Sequence, residues 1–105
     1  MIRHIVIWSM HQPTDAPRFK ALLETCAGIV PGIIEFDVGI RTDGLEANAD
    51  VVLVSTFESQ AVLDAYQVHP HHKGVLGQLG PLRSARHVVD YFVDNVGACI
   101  QGSCS

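Results

Sequence analysis

The fold depends most on one stretch of sequence, Ile2-Arg3-His4-Ile5-Val6-Ile7-Trp8-Ser9-Met10. It is rich in β-branched residues and alternates in character, which predicts a strand. Because successive side chains of a strand point to opposite faces, Ile5 and Ile7 share one face, and Val6 and Trp8 share the other. This strand is therefore apolar on both sides.

A helix is predicted to follow this strand. Thr14 is its expected N-cap, and Asp15 is favourable in the first turn. Apolar residues then recur at three- and four-residue steps, as on one face of a helix: Phe19, Leu22, Leu23, Cys26 and Ile29/Val30. Gly28 and the pair Pro31-Gly32 are expected to end the helix.

Strand and helix patterns alternate along the rest of the chain. Strands are predicted at 33–41, 50–57 and 87–93, and helical segments are predicted after Ser59 and at 71–79. In the first of these strands, the residues expected on one face are Ile34, Phe36, Val38 and Ile40. The order β-α-β-β-α-β predicts an α+β, ferredoxin-like fold with a four-stranded antiparallel sheet.

Both faces of the predicted sheet are apolar, although the helices of this topology cover only one. The alternating apolar pairs on the later strands are Val52/Val54 with Leu53/Phe57, and Val88/Phe92 with Val89/Tyr91. A solvated face would carry polar residues at every second position. The mean hydropathy of +0.23 is also high for a small protein. We therefore predict a homodimer in which two copies pack their sheets face to face.

Length, composition and charge limit the class of protein. The chain has 105 residues, of which 48% are hydrophobic and 17% charged, which suits one domain and excludes a disordered chain. No stretch approaches about 18 consecutive apolar residues, so no membrane span is predicted. The net charge is −4 and no two basic residues are adjacent, so nucleic acid is not an expected partner.

The cysteines and the two ends of the chain favour a cytoplasmic protein. Cys26, Cys99 and Cys104 form no CxxC motif, which fits a reducing compartment. The first residues alternate like a strand and lack the long apolar core of a signal peptide. Residues 1–93 are expected to form the single domain, and residues 94–105 a flexible tail with reduced cysteines.

Titratable residues are densest in Tyr66-Gln67-Val68-His69-Pro70-His71-His72, between two predicted helical segments. Three interpretations remain open. The histidines could bind zinc or nickel, although ligand sets usually come from two elements and no Cys or Asp stands at a matching spacing. They could be structural, with one stabilising the C-terminus of a helix. Alternatively, one histidine and Tyr66 act as general acid and base in a cavity beneath the helices.

His4 is a second candidate, since by alternation it shares a face with Ile2, Val6 and Trp8. A polar ring among apolar neighbours is typical of a hydrogen-bonded core histidine and also of a ligand cavity. The sequence contains no Gly-rich phosphate loop, nucleophile elbow or paired carboxylates, so nucleotide binding and hydrolysis have no support. Neither a metal nor an organic cofactor is predicted.

Four blocks of this sequence resemble, in the right order, the stress-responsive α/β-barrel (Dabb) domain family. They are residues 1–6, residues 33–39 after Pro31-Gly32, residues 66–72 and residues 88–91. The Tyr-x-x-His-Pro-x-His block is the most specific of them. The resemblance covers residues 1–93 and implies a ferredoxin-like domain that dimerises through its sheets into an α+β barrel.

The resemblance also implies candidate site residues. A plant member of the family, olivetolic acid cyclase, closes a linear polyketide by an aldol-type condensation without a cofactor. By resemblance its catalytic tyrosine and histidine fall on Tyr66 and His72, and a cavity histidine falls on His4. Lys20 and Leu23 stand where that enzyme has aromatic residues, so its substrate does not carry over.

The resulting hypothesis is proton abstraction next to the carbonyl group of a small hydrophobic compound. Neutral His72 would take the proton, and Tyr66 would donate a hydrogen bond to the enolate oxygen. The expected substrate-binding residues are His4, Val6, Trp8, Phe19, Leu23, Leu53, His69 and Leu76. The activity would be that of a cofactor-free cyclase, lyase or isomerase, or of a metal-free monooxygenase. The alternatives are a non-catalytic small-molecule binder, a stress-associated dimer and a purely structural dimer module.

Overall fold

A computed structural model describes residues 1–93, and the predicted tail with Cys99 and Cys104 lies outside the described residues. The elements in chain order are β1 (Ile2–Met10), a 3-10 turn (Pro13–Asp15), α1 (Ala16–Glu24), β2 (Ile33–Ile40), β3 (Val51–Phe57), α2 (Gln60–Val68), α3 (Pro70–Leu79) and β4 (Arg83–Phe92). None of the helices in residues 1–93 has the length and apolarity that crossing a bilayer requires.

The four strands form one antiparallel sheet in the order β2-β3-β1-β4. β1 lies in its interior, so that His4 is paired with Ser55 of β3 on one side and with Asp90 of β4 on the other. The predicted ferredoxin-like fold with a four-stranded antiparallel sheet is confirmed, with the second helical region divided into α2 and α3.

The core lies between the sheet and the helices. Burial alternates along β1, and the side chains on the helix-covered face are Ile2, His4, Val6, Trp8 and Met10. The Trp8 and Phe19 rings meet edge to face, with their centroids 5.0 Å apart. Burying an aromatic or leucine side chain stabilises the fold by about 2–3 kcal/mol, so these contacts hold α1 on the sheet. The molecule is 18 Å thick along its shortest axis, which corresponds to two layers.

Within residues 1–93 no helix covers the opposite face of the sheet, and the centre of this face is apolar, as the sequence predicts. Ile7 and Val89 are 38% and 62% exposed there. Strand register places Ile5 between Val54 and Val89 at the centre of this face. We call this surface, formed by Ile5, Ile7, Val52, Val54 and Val89, the open face.

The beginning and the end of α1 differ from the sequence prediction. Thr14 lies inside the 3-10 turn and is not the N-cap, which is Asp15 without a side-chain bond. The helix ends at Glu24, because the Thr25 hydroxyl donates to the Leu22 carbonyl at 2.6 Å and irregular turns follow. Side-chain bonds of this kind compete with the helical pattern. The apolar stripe beyond residue 24 therefore reflects packing of a turn and not helical periodicity.

β4 and β2 also depart from the prediction. β4 begins at Arg83 and not at residue 87, because backbone pairing with β1 continues through polar residues that hydropathy does not mark as a strand. In β2 the register shifts between Ile33 and Glu35, which places Ile33 opposite Phe57 and leaves Ile34 exposed. A bulge of this kind interrupts the alternation of faces. The prediction that Ile34 shares a face with Phe36, Val38 and Ile40 was therefore wrong.

Only glycine fits at position 32, just before β2, because of its backbone conformation and its close neighbours. Its φ is +96°, and a Cβ added there would lie 2.8 Å from Cγ2 of Val62 in α2. Gly32→Ala is therefore expected to lower the free energy of unfolding by about 2 kcal/mol or more, through strain and overlap together. Urea unfolding measures this loss. Gly28→Ala, where the added methyl has open space, is the matched control, and equal stability of the two variants would contradict the prediction.

Candidate functional site

A single residue, His69, joins α2 to α3 and determines how the two helices are placed relative to each other. Ser59 caps α2 by accepting a hydrogen bond from the Val62 amide at 3.3 Å. His69 then has extended dihedral angles, and its Nδ1 accepts from the His71 amide at 3.0 Å, which caps α3 with Pro70 at its first position. This short connection brings the buried residues of the two helices together.

Tyr66 is the buried residue of α2 nearest this connection. It is 1% exposed and packs against Phe57, with ring centroids 5.1 Å apart. Its hydroxyl has no hydrogen-bond partner among residues 1–93. Burial raises the pKa of Tyr66, and the neighbouring Cys26 thiol raises it further. The thiol is a weak hydrogen-bonding group whose placement does not satisfy the hydroxyl. The phenol therefore stays protonated and is available as a donor.

His72 lies beside Tyr66, on α3. The two ring centroids are 4.4 Å apart. The Nδ1 of His72 lies 3.2 Å from the Gln67 carbonyl oxygen, which can only accept, so Nδ1 carries the proton and Nε2 the lone pair. Burial is the main cause that lowers the pKa of His72, and the charges of His4, Arg86 and His69 lower it further. The ring is thus a neutral base at neutral pH, next to a protonated phenol.

His4 completes this cluster from the sheet. It is 3% exposed, and its Nδ1 lies 2.5 Å from Oδ1 of Asp90 on β4. Its ring also meets Phe57 edge to face at 6.2 Å. Phe57 also contacts the Tyr66 ring, which in turn lies against His72. Phe57 therefore links His4 to the Tyr66 and His72 pair at the helix-covered face.

The three histidines of the connection have separate surroundings. His69 caps α3, and His72 faces Tyr66. His71 points to α1, where its Nε2 lies 2.8 Å from Oγ1 of Thr25. In residues 1–93, no three His, Cys, Asp or Glu side chains converge as a metal site would require. Two of the three histidines thus have structural contacts, although the His69 side chain caps the N-terminus of α3 and not the C-terminus of a helix.

Comparison with known proteins identifies the family. The sequence profile of the stress responsive A/B barrel domain, Dabb, matches residues 2–93. The chain belongs to the Dabb family. The predicted resemblance is thereby confirmed, and it extends over nearly all of the residues that the structure describes. Among curated proteins, none matches this Dabb chain.

Solved structures similar to this Dabb protein share its fold. A dimeric ferredoxin-like protein of unknown function from Thermobifida fusca is 22% identical, with a TM-score of 0.78 over 88% of this chain and 90% of that one. Another from Jannaschia sp. is 29% identical, with a TM-score of 0.71 over 88% and 98%. A putative antibiotic biosynthesis monooxygenase from Nitrosomonas europaea is 19% identical, with a TM-score of 0.74 over 90% and 100%.

Most of the predicted substrate-binding side chains of this Dabb protein lie in its hydrophobic core. Besides His4, those at most 3% exposed are Val6, Trp8, Phe19, Leu23 and Leu53. Leu76 is different, because it is 41% exposed on the outer side of α3, so it does not line the interior. One cleft of about 250 Å³ lies beside the open face and another of about 210 Å³ lies between α2 and β4. Tyr66 and His72 line neither of these two clefts.

The sequence analysis missed two residues at the site of this Dabb protein. Asp90 binds His4, and Cys26 lies beside the Tyr66 hydroxyl. The sequence does mark Asp90, because it is the one acidic residue between the apolar positions 88 and 92 of the last strand. The strand order of the fold then places it next to β1. Cys26 had no such signal, since its position was explained by the apolar stripe.

His72 is expected to make the folded protein less stable as the pH falls. Its pKa in the fold is lowered by burial, so between about 6.5 and this lower value the unfolded chain binds a proton that the folded chain does not. The contribution of neutral His72 to the free energy of unfolding is therefore intact above about pH 6.5, and it is lost as the pH falls through 6.5 towards the pKa in the folded state. Urea unfolding at about pH 7.5 and about pH 5.5 measures it.

The variant His72→Gln is expected to lose this part of the pH dependence. His11→Gln, at an exposed loop position, is the control and is expected to keep it. Identical pH dependence in the wild-type protein and in His72→Gln would show that the buried imidazole is not the cause.

Proposed function

We propose that this Dabb protein binds a small hydrophobic carbonyl compound and catalyses proton abstraction next to the carbonyl group without a cofactor, as a cyclase, lyase or isomerase. One observation carries the proposal: the buried Tyr66 hydroxyl has no partner in residues 1–93 and lies in ring contact with a neutral histidine. Leaving a buried hydroxyl unpaired costs about 1–3 kcal/mol. Retaining such a group is typical of a functional site.

The two side chains suit the two halves of this reaction. Nε2 of His72 takes the proton from the carbon next to the carbonyl, and the C–H electron pair moves into a carbon–carbon double bond. The carbonyl oxygen becomes an enolate, which accepts a hydrogen bond from the Tyr66 hydroxyl. The enolate carbon then attacks a second carbonyl carbon or takes a proton back, and His72 returns its proton to the product. A well-placed acid or base contributes about 10²–10⁴-fold to the rate.

The surroundings strengthen these interactions. The site is flanked by Phe57 and Phe36, whose ring centroids lie 5.1 and 6.2 Å from that of Tyr66. In such a low-dielectric region a hydrogen bond to a developing oxyanion stabilises it more than in water. The role of His4, His69 and the buried apolar residues in contacting the substrate stays a prediction.

We also propose that this chain forms a homodimer through its open face and acts in the cytoplasm. The support for the dimer is the row of exposed or half-buried apolar side chains across β1, β3 and β4. Covering such a surface is favourable by about 25 cal/mol per Å² of apolar area. The similar proteins from Thermobifida fusca and Jannaschia sp. are described as dimeric.

Exchange of hydrogen for deuterium tests the proposed reaction without knowledge of the product. A panel of β-diketones, β-ketoesters and polyketide-like thioesters is incubated with the protein in D₂O, and mass spectrometry follows deuterium at the carbon next to the carbonyl. The proposal expects exchange faster than in buffer for at least one compound, and its loss in His72→Ala. Exchange that is equal with and without protein for the whole panel would overturn it.

The second candidate function is binding of the same class of compound without turnover. It is favoured by the two clefts of about 250 and 210 Å³, because neither is lined by Tyr66 or His72, so that a compound bound there would not contact the base. Ligand-induced shifts in the NMR signals of Leu63 and Phe92, which line the smaller cleft, without deuterium exchange, would support this candidate. Oxygen consumption by the protein with a panel compound would instead indicate the monooxygenase chemistry.

A further inference from the structure

The residue that holds His4 in place is Asp90. These two residues are 86 positions apart in the chain, and pairing of β1 with β4 brings them together. Oδ1 of Asp90 lies 2.5 Å from Nδ1 of His4, while the His4 ring is buried. A carboxylate oxygen only accepts hydrogen bonds, so Nδ1 is the protonated nitrogen of the pair.

This bond decides which nitrogen of His4 is available to a ligand. With Nδ1 bound to Asp90, the only other polar atom of the ring is Nε2, on the far side from the carboxylate. Without a carboxylate neighbour, neutral imidazole exchanges its proton between the two nitrogens, and the ring can also turn. The carboxylate therefore fixes both the tautomer and the direction of the ring, as the aspartate of a Ser-His-Asp triad does.

The position of Asp90 suits this role. Its side chain is 39% exposed and lines the cleft of about 210 Å³ between α2 and β4, together with Ile2, Gln60, Leu63 and Phe92. The carboxylate thus keeps contact with water on one side, which avoids the cost of burying a charge, and reaches the buried ring on the other. Asp90 therefore contacts both the solvent and the buried His4 ring.

We infer that Asp90 is a positioning residue of the site, which acts by holding His4 as the Nδ1–H tautomer with Nε2 presented to the ligand. This inference rests on the proposed function for the identity of the site, but its physical content is a property of His4 alone. Through Asp90, β4 thus contributes the orientation of His4, which neither Tyr66 nor His72 provides.

Imidazole NMR on the full chain tests the inference directly. Long-range ¹H–¹⁵N spectra of histidine-labelled protein, at a pH where the spectra show a neutral ring, report which nitrogen carries the proton. The His4 signal is assigned with His4→Gln. The wild-type protein is expected to show protonation of Nδ1, and Asp90→Ala is expected to shift the population to the Nε2–H form. Asp90→Glu is expected to keep the wild-type tautomer, because its carboxylate, like that of Asp90, only accepts from Nδ1, and the half-exposed position at the cleft has room for one more methylene.

Turnover provides the second measurement. With a compound active in the deuterium assay, Asp90→Ala is expected to lower kcat by about 10- to 100-fold, the range found when the carboxylate that orients a metal-binding histidine is removed. Asp90→Glu is expected to recover most of this loss. Asp64→Asn, on the exposed side of α2, is the control and leaves both readouts unchanged.

The outcomes separate the inference from the proposed function. An unchanged His4 tautomer in Asp90→Ala, or equal tautomer shifts in Asp90→Ala and Asp90→Glu, overturns the inference. Absence of exchange by the wild-type protein overturns the proposed reaction, and the imidazole spectra still decide whether Asp90 holds His4. Thermal unfolding of each variant establishes that the compared proteins are folded.

Discussion

Tyr66→Phe is expected to lower turnover of the carbonyl substrate by about 100-fold or more and, at the same time, to make the protein more stable. The loss of rate follows from the proposed role of the hydroxyl as the donor to the developing enolate, since removing such a donor costs about 10²–10³ in kcat. The gain in stability follows because the buried hydroxyl has no partner among residues 1–93. Removing it while keeping the ring is expected to raise the free energy of unfolding by about 1 kcal/mol.

This pair of effects distinguishes a functional tyrosine from a structural one. A structural hydroxyl would leave turnover unchanged and would lower stability when removed. Steady-state kinetics and urea unfolding of the same preparations measure the two effects. Tyr91→Phe is the matched control, since Tyr91 lies on the other face of the sheet and accepts a bond from Arg3 at 3.3 Å. Wild-type turnover in Tyr66→Phe would contradict the assignment.

Ile5→Asp is expected to separate the proposed dimer into monomers at micromolar concentration. Ile5 lies between Val54 and Val89 at the centre of the open face, so a two-fold dimer would bury two unpaired carboxylates there. Each buried unpaired charge costs several kcal/mol, which corresponds to a rise in Kd of 10³-fold or more for the pair. Sedimentation equilibrium of the wild-type protein and the variant measures the change.

Ala61→Asp places the same charge on an exposed position of α2 and is the control for this experiment. It is expected to sediment as the wild-type protein does. A wild-type protein that is monomeric at micromolar concentration, or an Ile5→Asp variant with an unchanged Kd, would contradict the proposed dimer. Because the substitution lies away from the helix-covered face, any loss of turnover in the monomer would show that pairing supports the site.

The fold could be predicted because its strands carry strong local signals. β1 has the same bounds in the sequence prediction and in the structure, since its alternation is uninterrupted. β4 was shortened in the prediction, because polar side chains at its start obscure a strand that backbone pairing maintains. The bulge near Ile34 could not be predicted either, since nothing in the local sequence marks an extra residue in the ladder.

The candidate site was predictable only where its residues are close in sequence. The Tyr66 and His72 rings meet because one connection joins their helices, and the motif already contains both. The role of Asp90 depends on strand register, which fixes its partner only once the sheet has formed. The substrate contacts of Phe19 and Leu23 were predicted from their apolar character, which core packing requires as well. Hydropathy alone does not separate a cavity wall from a filled core.

The two halves of the site have very different separations along the chain, with a consequence for how it is assembled. Tyr66 and His72 are six positions apart in the sequence, whereas His4 and Asp90 are 86 positions apart. Loops of such different length close on different timescales, the short one much earlier. During synthesis the first pair can meet before the last strand has left the ribosome, whereas the second pair must wait for the final strand. The proposed site would then be complete only after β4 has paired with β1.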